Sequence, residues 1–273
     1  MNLRRLLGLG GPERADAFDD EPTPVGKDAF TAVAPYYDAL MCAVPYRGWV
    51  DYIEAILARL EYRPNDVLDL CCGTGKVGAE MARRGYHAVG VDLAEGMIRC
   101  CHEREPLMPA AVMDATKLGL RPESFDLVVS LYDSLNYITD PEGLQQCFIG
   151  VARALRTGGL MIFDMNTARA LRIGLFTQTN ASTREPLMYR WESHWDEARK
   201  LCRVDMHFQW RGPGERVQFS ETHYERAYEE DEVREMLAAA GMETVQVYDA
   251  YSFRRPGVFA NRVFYVARRL KVE

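Results

Sequence analysis

The sequence lacks any run of apolar residues near the ~18 that a membrane-crossing helix needs, so no membrane partner is expected. It lacks a C-x-x-C pair. Its seven cysteines include the adjacent couples Cys71-Cys72 and Cys100-Cys101, but none at the spacing of a zinc ribbon or a dithiol redox site. It lacks an excess of positive charge. The formal net charge is -7, so phosphate backbones are not attracted at long range and no nucleic-acid partner is expected. A secretory leader is not expected either, because the apolar start Leu3-Arg4-Arg5-Leu6-Leu7 is broken at once by Gly8, Gly10 and Gly11. Together these absences point to a cytoplasmic protein with reduced thiols. What remains is ordinary for a globular chain: 273 residues, 48% hydrophobic, enough to bury a sizeable core as one domain or one domain carrying an insertion.

Residues 1–27 are rich in Gly, Pro and acidic groups, which predicts a flexible tail. Trp49, Ile53, Ile56, Leu57 and Leu60 then recur at helical spacing. From residue 67 an alternation begins. Short apolar runs at 67–70, 88–92, 110–113, 125–131 and 160–163 read as strands. Between them, helical patterns include one that starts at Asp140-Pro141 and is expected to stop at Gly158-Gly159. This predicts an α/β fold: a Rossmann-like, mostly parallel sheet with helices on both faces. After about residue 184 the period becomes two. Tyr189, Trp191 and Trp195, then Val204, Met206, Phe208 and Trp210, then Val217 and Phe219 alternate with polar residues. They predict an antiparallel three-stranded insertion over 184–228. A helix at 231–240 and strands at 242–248 and 263–267 return to the main sheet, so the parent domain is expected to comprise 28–183 and 229–273.

The stretch Val67-Leu68-Asp69-Leu70-Cys71-Cys72-Gly73-Thr74-Gly75-Lys76-Val77-Gly78 is a strand, a slim loop and the start of a helix. Such a loop lets a ligand approach backbone N–H groups at the carboxyl end of the sheet. Gly73, Gly75 and Gly78 also fit G-x-G-x-x-G, with Asp92 downstream, which by itself is a weak sign of a dinucleotide. Asp69 argues against one. A carboxylate at the loop repels a pyrophosphate and suits the ammonium of S-adenosylmethionine.

With those residues in view, Asp69-Leu70-Cys71-Cys72-Gly73-Thr74-Gly75 resembles the first motif of class I S-adenosylmethionine-dependent methyltransferases. Val91-Asp92-Leu93-Ala94-Glu95-Gly96-Met97 resembles the second, and Met113-Asp114-Ala115 the third. Phe125-Asp126-Leu127-Val128-Val129-Ser130 and Leu155-Arg156-Thr157-Gly158-Gly159 resemble the fourth and fifth. The resemblance implies a seven-stranded sheet and S-adenosylmethionine as cofactor. It implies that the Gly73 loop holds the methionine arm and that Asp92 bonds both ribose hydroxyls. Leu93 and Met97 would flank the adenine, Asp114 would receive its amino group with Ala115 alongside, and Ser130 and Leu131 would border the sulfonium. Cys71 departs from a frequent Gly, and Ala94 from a helix-capping Ser.

The acceptor pocket is expected wherever the strand ends are covered: around Tyr36-Tyr37 and Tyr46 to Trp49, around Tyr132 to Tyr137, and under the insertion with Tyr248 to Arg255. These runs resemble a bacterial subgroup of small-molecule methyltransferases with a β-sheet insertion after the fifth strand, as in amino-sugar N-methyltransferases. The implied activity is methyl transfer to N or O of a small molecule, in a monomer or homodimer. His223 is the preferred general base, and Tyr36 and Tyr132 are expected to clamp the sulfonium. His194, His207 and His223 on neighbouring strands admit zinc, but hydrogen-bonded strand residues are the simpler reading and no metal is expected. Arg254-Arg255 could meet an anionic substrate. The rivals are an RNA or protein methyltransferase of the same fold, a nicotinamide-dependent oxidoreductase, and a cofactor-binding sensor without catalysis.

Overall fold

The computed structural model describes residues 29–180, 186–212 and 215–271; the tail expected over 1–27 lies outside the described residues. Five parallel strands come first: β1 (Asp66–Leu70), β2 (His87–Asp92), β3 (Ala110–Val112), β4 (Phe125–Ser130) and β5 (Leu155–Asn166). With β10 (Met242–Asp249) and β11 (Arg262–Arg269) they form a seven-stranded sheet in the order β10-β11-β5-β4-β1-β2-β3. β11 runs antiparallel to both its neighbours. The chain leaves β1 toward β2 and β3, then returns to β4 on β1's other side, so β1 and β4 flank the switch point where such sheets bind ligands.

Alternation along the strands supplies two cores. Leu68, Leu70, Val128, Met161, Phe163 and Tyr265 pack with Leu144, Phe148 and Val151 of α5 (Pro141–Ala154) and with Val233 and Leu237 of α7 (Glu230–Ala239). Val67, Leu127, Val129, Ile162, Phe264 and Val266 face the other way. They meet Ile53, Ile56 and Leu57 of α2 (Tyr46–Arg59) and Val77 and Met81 of α3 (Lys76–Arg83). The Asp140 carboxylate caps α5 by accepting from the Glu142 and Gly143 N–H groups. α5 ends at Ala154, before the glycines expected to stop it. Gly158 and Gly159 lie instead in an irregularity of β5, and a Cβ on Gly159 would stand 2.8 Å from the Arg156 carbonyl and 3.0 Å from that of Asp126. The pair permits close backbone approach rather than helix termination.

The inserted sheet has four strands rather than three, in the order β6-β7-β8-β9: β6 (Gln178–Asn180), β7 (Leu187–Asp196), β8 (Leu201–Gly212) and β9 (Glu215–Arg226). β6 is polar and only three residues long, too short to show a period. The apolar face of this sheet, with Leu187, Trp191, Val204, Met206 and Phe208, packs on Val33, Ala34 and Met41 and on Met97 and Cys100 of α4 (Glu95–Arg104). No helix among the described residues is long and apolar enough to cross a membrane.

Candidate active site between the two sheets

Three neighbouring spaces lie over the carboxyl ends of β1, β2 and β4. The largest, about 660 Å³, is walled by Leu70, Cys71, Asp92, Leu93, Asp114 and Ala115 on the sheet side. Phe30 and Tyr137 close it opposite. A second, about 50 Å³, lies against the β1 loop at Asp69, Cys71, Gly73, Leu131 and Tyr132. A third, about 60 Å³, opens beneath the inserted sheet among Phe30, Tyr37, Tyr132, Tyr137, Trp191, Phe208 and His223. Tyr37 and Tyr132 belong to both smaller spaces, and Phe30 and Tyr137 to both the largest and the third.

The β1 loop is held by its two acids. Asp92 Oδ2 accepts the Gly73 N–H at 2.8 Å and Oδ1 the Ala94 N–H at 2.8 Å. Ala94 itself gives α4 no side-chain cap. Burial pushes the Asp92 carboxyl above its ordinary range against those hydrogen bonds. Asp69 Oδ2 accepts the Gly78 N–H at 2.8 Å, and burial raises its carboxyl to about 7. Asp114 Oδ1 accepts from the Thr116 N–H and hydroxyl, so Oδ1 is engaged at home while the residue still lines the cavity. Cys71 has φ +61, a left-handed conformation that costs a non-glycine roughly 1–2 kcal/mol. Gly73, at φ +54, has open space where a Cβ would be, which leaves a bare backbone cradle.

Some expected residues stand elsewhere. Met97 is buried with Val33 and Ala34 and does not line the adenine-sized cavity. Ser130 is fully buried, and its Oγ has no partner and reaches no cavity wall. Tyr36 stacks on Phe219 and lies against Trp210 of the inserted sheet, while Tyr37, one residue on, faces the cavities. The turn at Ala34–Tyr36 is 3-10 and gives way to a short helix at Tyr37, so no steady period exists to show which tyrosine points inward. His223 is buried, whereas His194 and His207 lie on the opposite face of their sheet.

His223 sits in a chain of contacts. Its Nε2 is 2.8 Å from Glu221 Oε2 and its Nδ1 is 3.1 Å from the Tyr137 hydroxyl. With Nε2–H donated to the carboxylate, Nδ1 accepts from Tyr137. Glu221 also accepts the backbone N–H groups of Phe30, Ala32 and Val33 at 3.2, 2.9 and 3.0 Å. One carboxylate thus clamps the 30–33 turn across the mouth of both larger spaces.

A second network braces the floor. Tyr132 and Asp133 are consecutive left-handed residues, φ +66 and +55, whose N–H groups both bond to the Asp164 carboxylate. Arg262 bridges Asp164 and Asp133. Glu225 of the inserted sheet joins through Asn166. Three buried carboxyls face one guanidinium. Burial and the neighbouring Asp133 charge push Glu225 well above the carboxylate range. No pattern in the sequence marks these partners, because they lie 30 to 130 positions apart.

Residues 67–159, which include the β1 loop, match a family model described as a methyltransferase domain. The malonyl-[acyl-carrier protein] O-methyltransferase of Geobacter sulfurreducens is 31% identical over 228 residues, 82% of this chain and 72% of that one. The chain is an S-adenosylmethionine-dependent methyltransferase. YqeM of Bacillus subtilis strain 168 is 29% identical over 247 residues, 89% of this chain and 98% of that one. An S-adenosylmethionine-dependent methyltransferase from Clostridium acetobutylicum superposes with a TM-score of 0.77 at 27% identity, covering 88% of this chain and 98% of that one. The sugar N-methyltransferase KedS8 from Streptoalloteichus shares the fold, with a TM-score of 0.68 at 19% identity, over 97% and 100% of the two chains. The methyltransferase therefore uses S-adenosylmethionine, and the nicotinamide reading of Gly73-x-Gly75 is set aside. The donor set fits that cofactor: acids at two strand ends, an open backbone cradle and a cavity large enough for a nucleoside.

Proposed function

We propose that this methyltransferase acts on nitrogen or oxygen of a small molecule held in the space beneath the inserted sheet. One observation carries the reading. That space is small and aromatic-walled, and it shares Tyr37 and Tyr132 with the pocket at the β1 loop. A nucleotide in an RNA chain or a protein side chain would have to pass the clamped 30–33 turn.

Bound S-adenosylmethionine supplies a methyl group on a good leaving group. Asp92 and Asp114 orient its nucleoside half, and Asp69 and the Gly73 loop receive its amino-acid half. Tyr37 and Tyr132 line the passage between the spaces, where aromatic faces favour a cation and exclude water. Tyr132 is fixed there by its strained backbone and the Asp164–Arg262 pair. His223 has both ring nitrogens engaged, so it takes the acceptor's proton through Tyr137: the phenol passes its own proton to Nδ1 as it accepts the substrate's. The inserted sheet serves as a lid, and Glu221 secures the 30–33 turn beneath it.

Incubating the protein with S-adenosylmethionine labelled in its methyl group, and with separate metabolite, RNA and protein pools, tests this. Label should enter the metabolite fraction. Label confined to RNA or protein would overturn the small-molecule reading.

A further inference from the structure

Among the described residues three buried side-chain polar atoms have no hydrogen-bond partner: Ser130 Oγ, Asn166 Oδ1 and Trp191 Nε1. Such atoms are rare in folded proteins, and each calls for a reason. Only Trp191 among the three lines the space assigned to the methyl acceptor. Its side chain is 7% exposed. It is held between β6 and β8, opposite Gln178 and Met206, with its ring against Tyr189 and Phe208. Val33, Leu40, Met41, Phe176 and Met206 make most of the surrounding wall apolar.

An indole N–H is a donor with no lone pair. Left unpaired in apolar surroundings it is a standing cost, recovered only when an acceptor atom arrives. Of the other polar side chains at the wall, Tyr37 and Tyr132 present hydroxyl groups and the rest are occupied. His223 bonds Glu221 and Tyr137, and Asp133 bonds Arg262 and Asn166. We propose that Trp191 Nε1–H recognises an oxygen atom of the methyl acceptor, which makes the acceptor a small, largely apolar molecule bearing a hydrogen-bond-accepting oxygen. Trp191 is thus a specificity determinant for the acceptor and makes no demand on the cofactor. This inference rests on assigning the space beneath the inserted sheet to the acceptor.

The test uses the full chain labelled with ¹⁵N at tryptophan and saturated with S-adenosylhomocysteine. The chain has four tryptophans, and the Trp191 indole signal is identified by its loss in Trp191→Phe. The protein is titrated with tetrahydrofuran and, separately, with cyclopentane, rings of one size differing by a single oxygen. Tetrahydrofuran should move the Trp191 indole proton downfield and saturably, and cyclopentane should not. No movement with tetrahydrofuran, equal movement with both, or a Trp191 signal already at a hydrogen-bonded position before titration would each overturn the proposal. Failure of the cofactor assignment shows separately, as absent S-adenosylhomocysteine heat before the titration begins. On any acceptor the label assay yields, Trp191→Phe should raise acceptor KM about tenfold and leave the cofactor KM unchanged.

Discussion

Acidifying the protein should weaken its hold on S-adenosylhomocysteine through one group, Asp69. Its carboxyl is fully buried, accepts one backbone N–H, and titrates at about 7 in the folded chain against an ordinary 3.8. The folded state therefore keeps a proton that the unfolded state has lost. The sign follows: stability contributed by the neutral form is complete below about pH 4 and is lost as the pH rises to about 7, ~4 kcal/mol for a gap of about three units. An ammonium group placed beside Asp69 reverses the balance by favouring the carboxylate. Binding must then expel about one proton at about pH 5.5 and only about a quarter of one at about pH 7.5. Affinity should fall about 25-fold between those values, ~2 kcal/mol. Titration calorimetry in two buffers of different ionisation enthalpy counts the protons directly. Asp69→Asn, whose amide oxygen can still accept the Gly78 N–H, should bind more weakly and without the proton. Equal proton release in the variant would assign the effect to Asp92, and pH-independent affinity in the wild type would refute the reasoning.

Other outcomes follow from the same geometry. Gly75→Ala places a Cβ 2.5 Å from Cys101 Sγ at φ +81 and should cost roughly 2–5 kcal/mol in denaturant unfolding. Gly73→Ala meets open space, so its backbone strain should cost only about 1–2 kcal/mol while the added methyl group blocks cofactor binding. Glu225→Gln removes a carboxyl whose titration burial raises, so urea midpoints at high pH should match or exceed the wild type and the loss of stability on raising pH should flatten. Asp92→Ala removes the bridge between Gly73 and Ala94 and should abolish the melting-temperature rise that S-adenosylhomocysteine gives.

The parallel sheet was readable because each strand is a short apolar run closed by a turn or an acid. The same local grammar pointed to Asp92 and Asp114, which close apolar runs, and to Asp69, which precedes the Gly73 loop. Errors fell where no local period exists. Gly158-Gly159 resemble a helix stop but serve a bulge, because the reason for them is the carbonyl of Asp126, a strand away. Met97 has the spacing of a wall residue and is buried by the 33–34 turn, sixty positions earlier. Tyr36 and Tyr37 are chemically alike, and a change of helix type between them decides which one faces inward. Tyr137, Trp191, Glu221 and Phe30 gain their roles only by meeting across the two sheets. His223 could be picked out by its chemistry, but Glu221, its partner and the holder of the 30–33 turn, looks like any exposed strand acid.

The Glu221 clamp ties together positions 191 apart in the chain. During synthesis, the five parallel strands and the nucleoside-sized hollow can assemble well before β9 leaves the ribosome, but Phe30 to Val33 have nothing to fasten to until it does. The roof of the molecule is therefore fastened late, and β11, whose Arg262 braces the floor, is made later still.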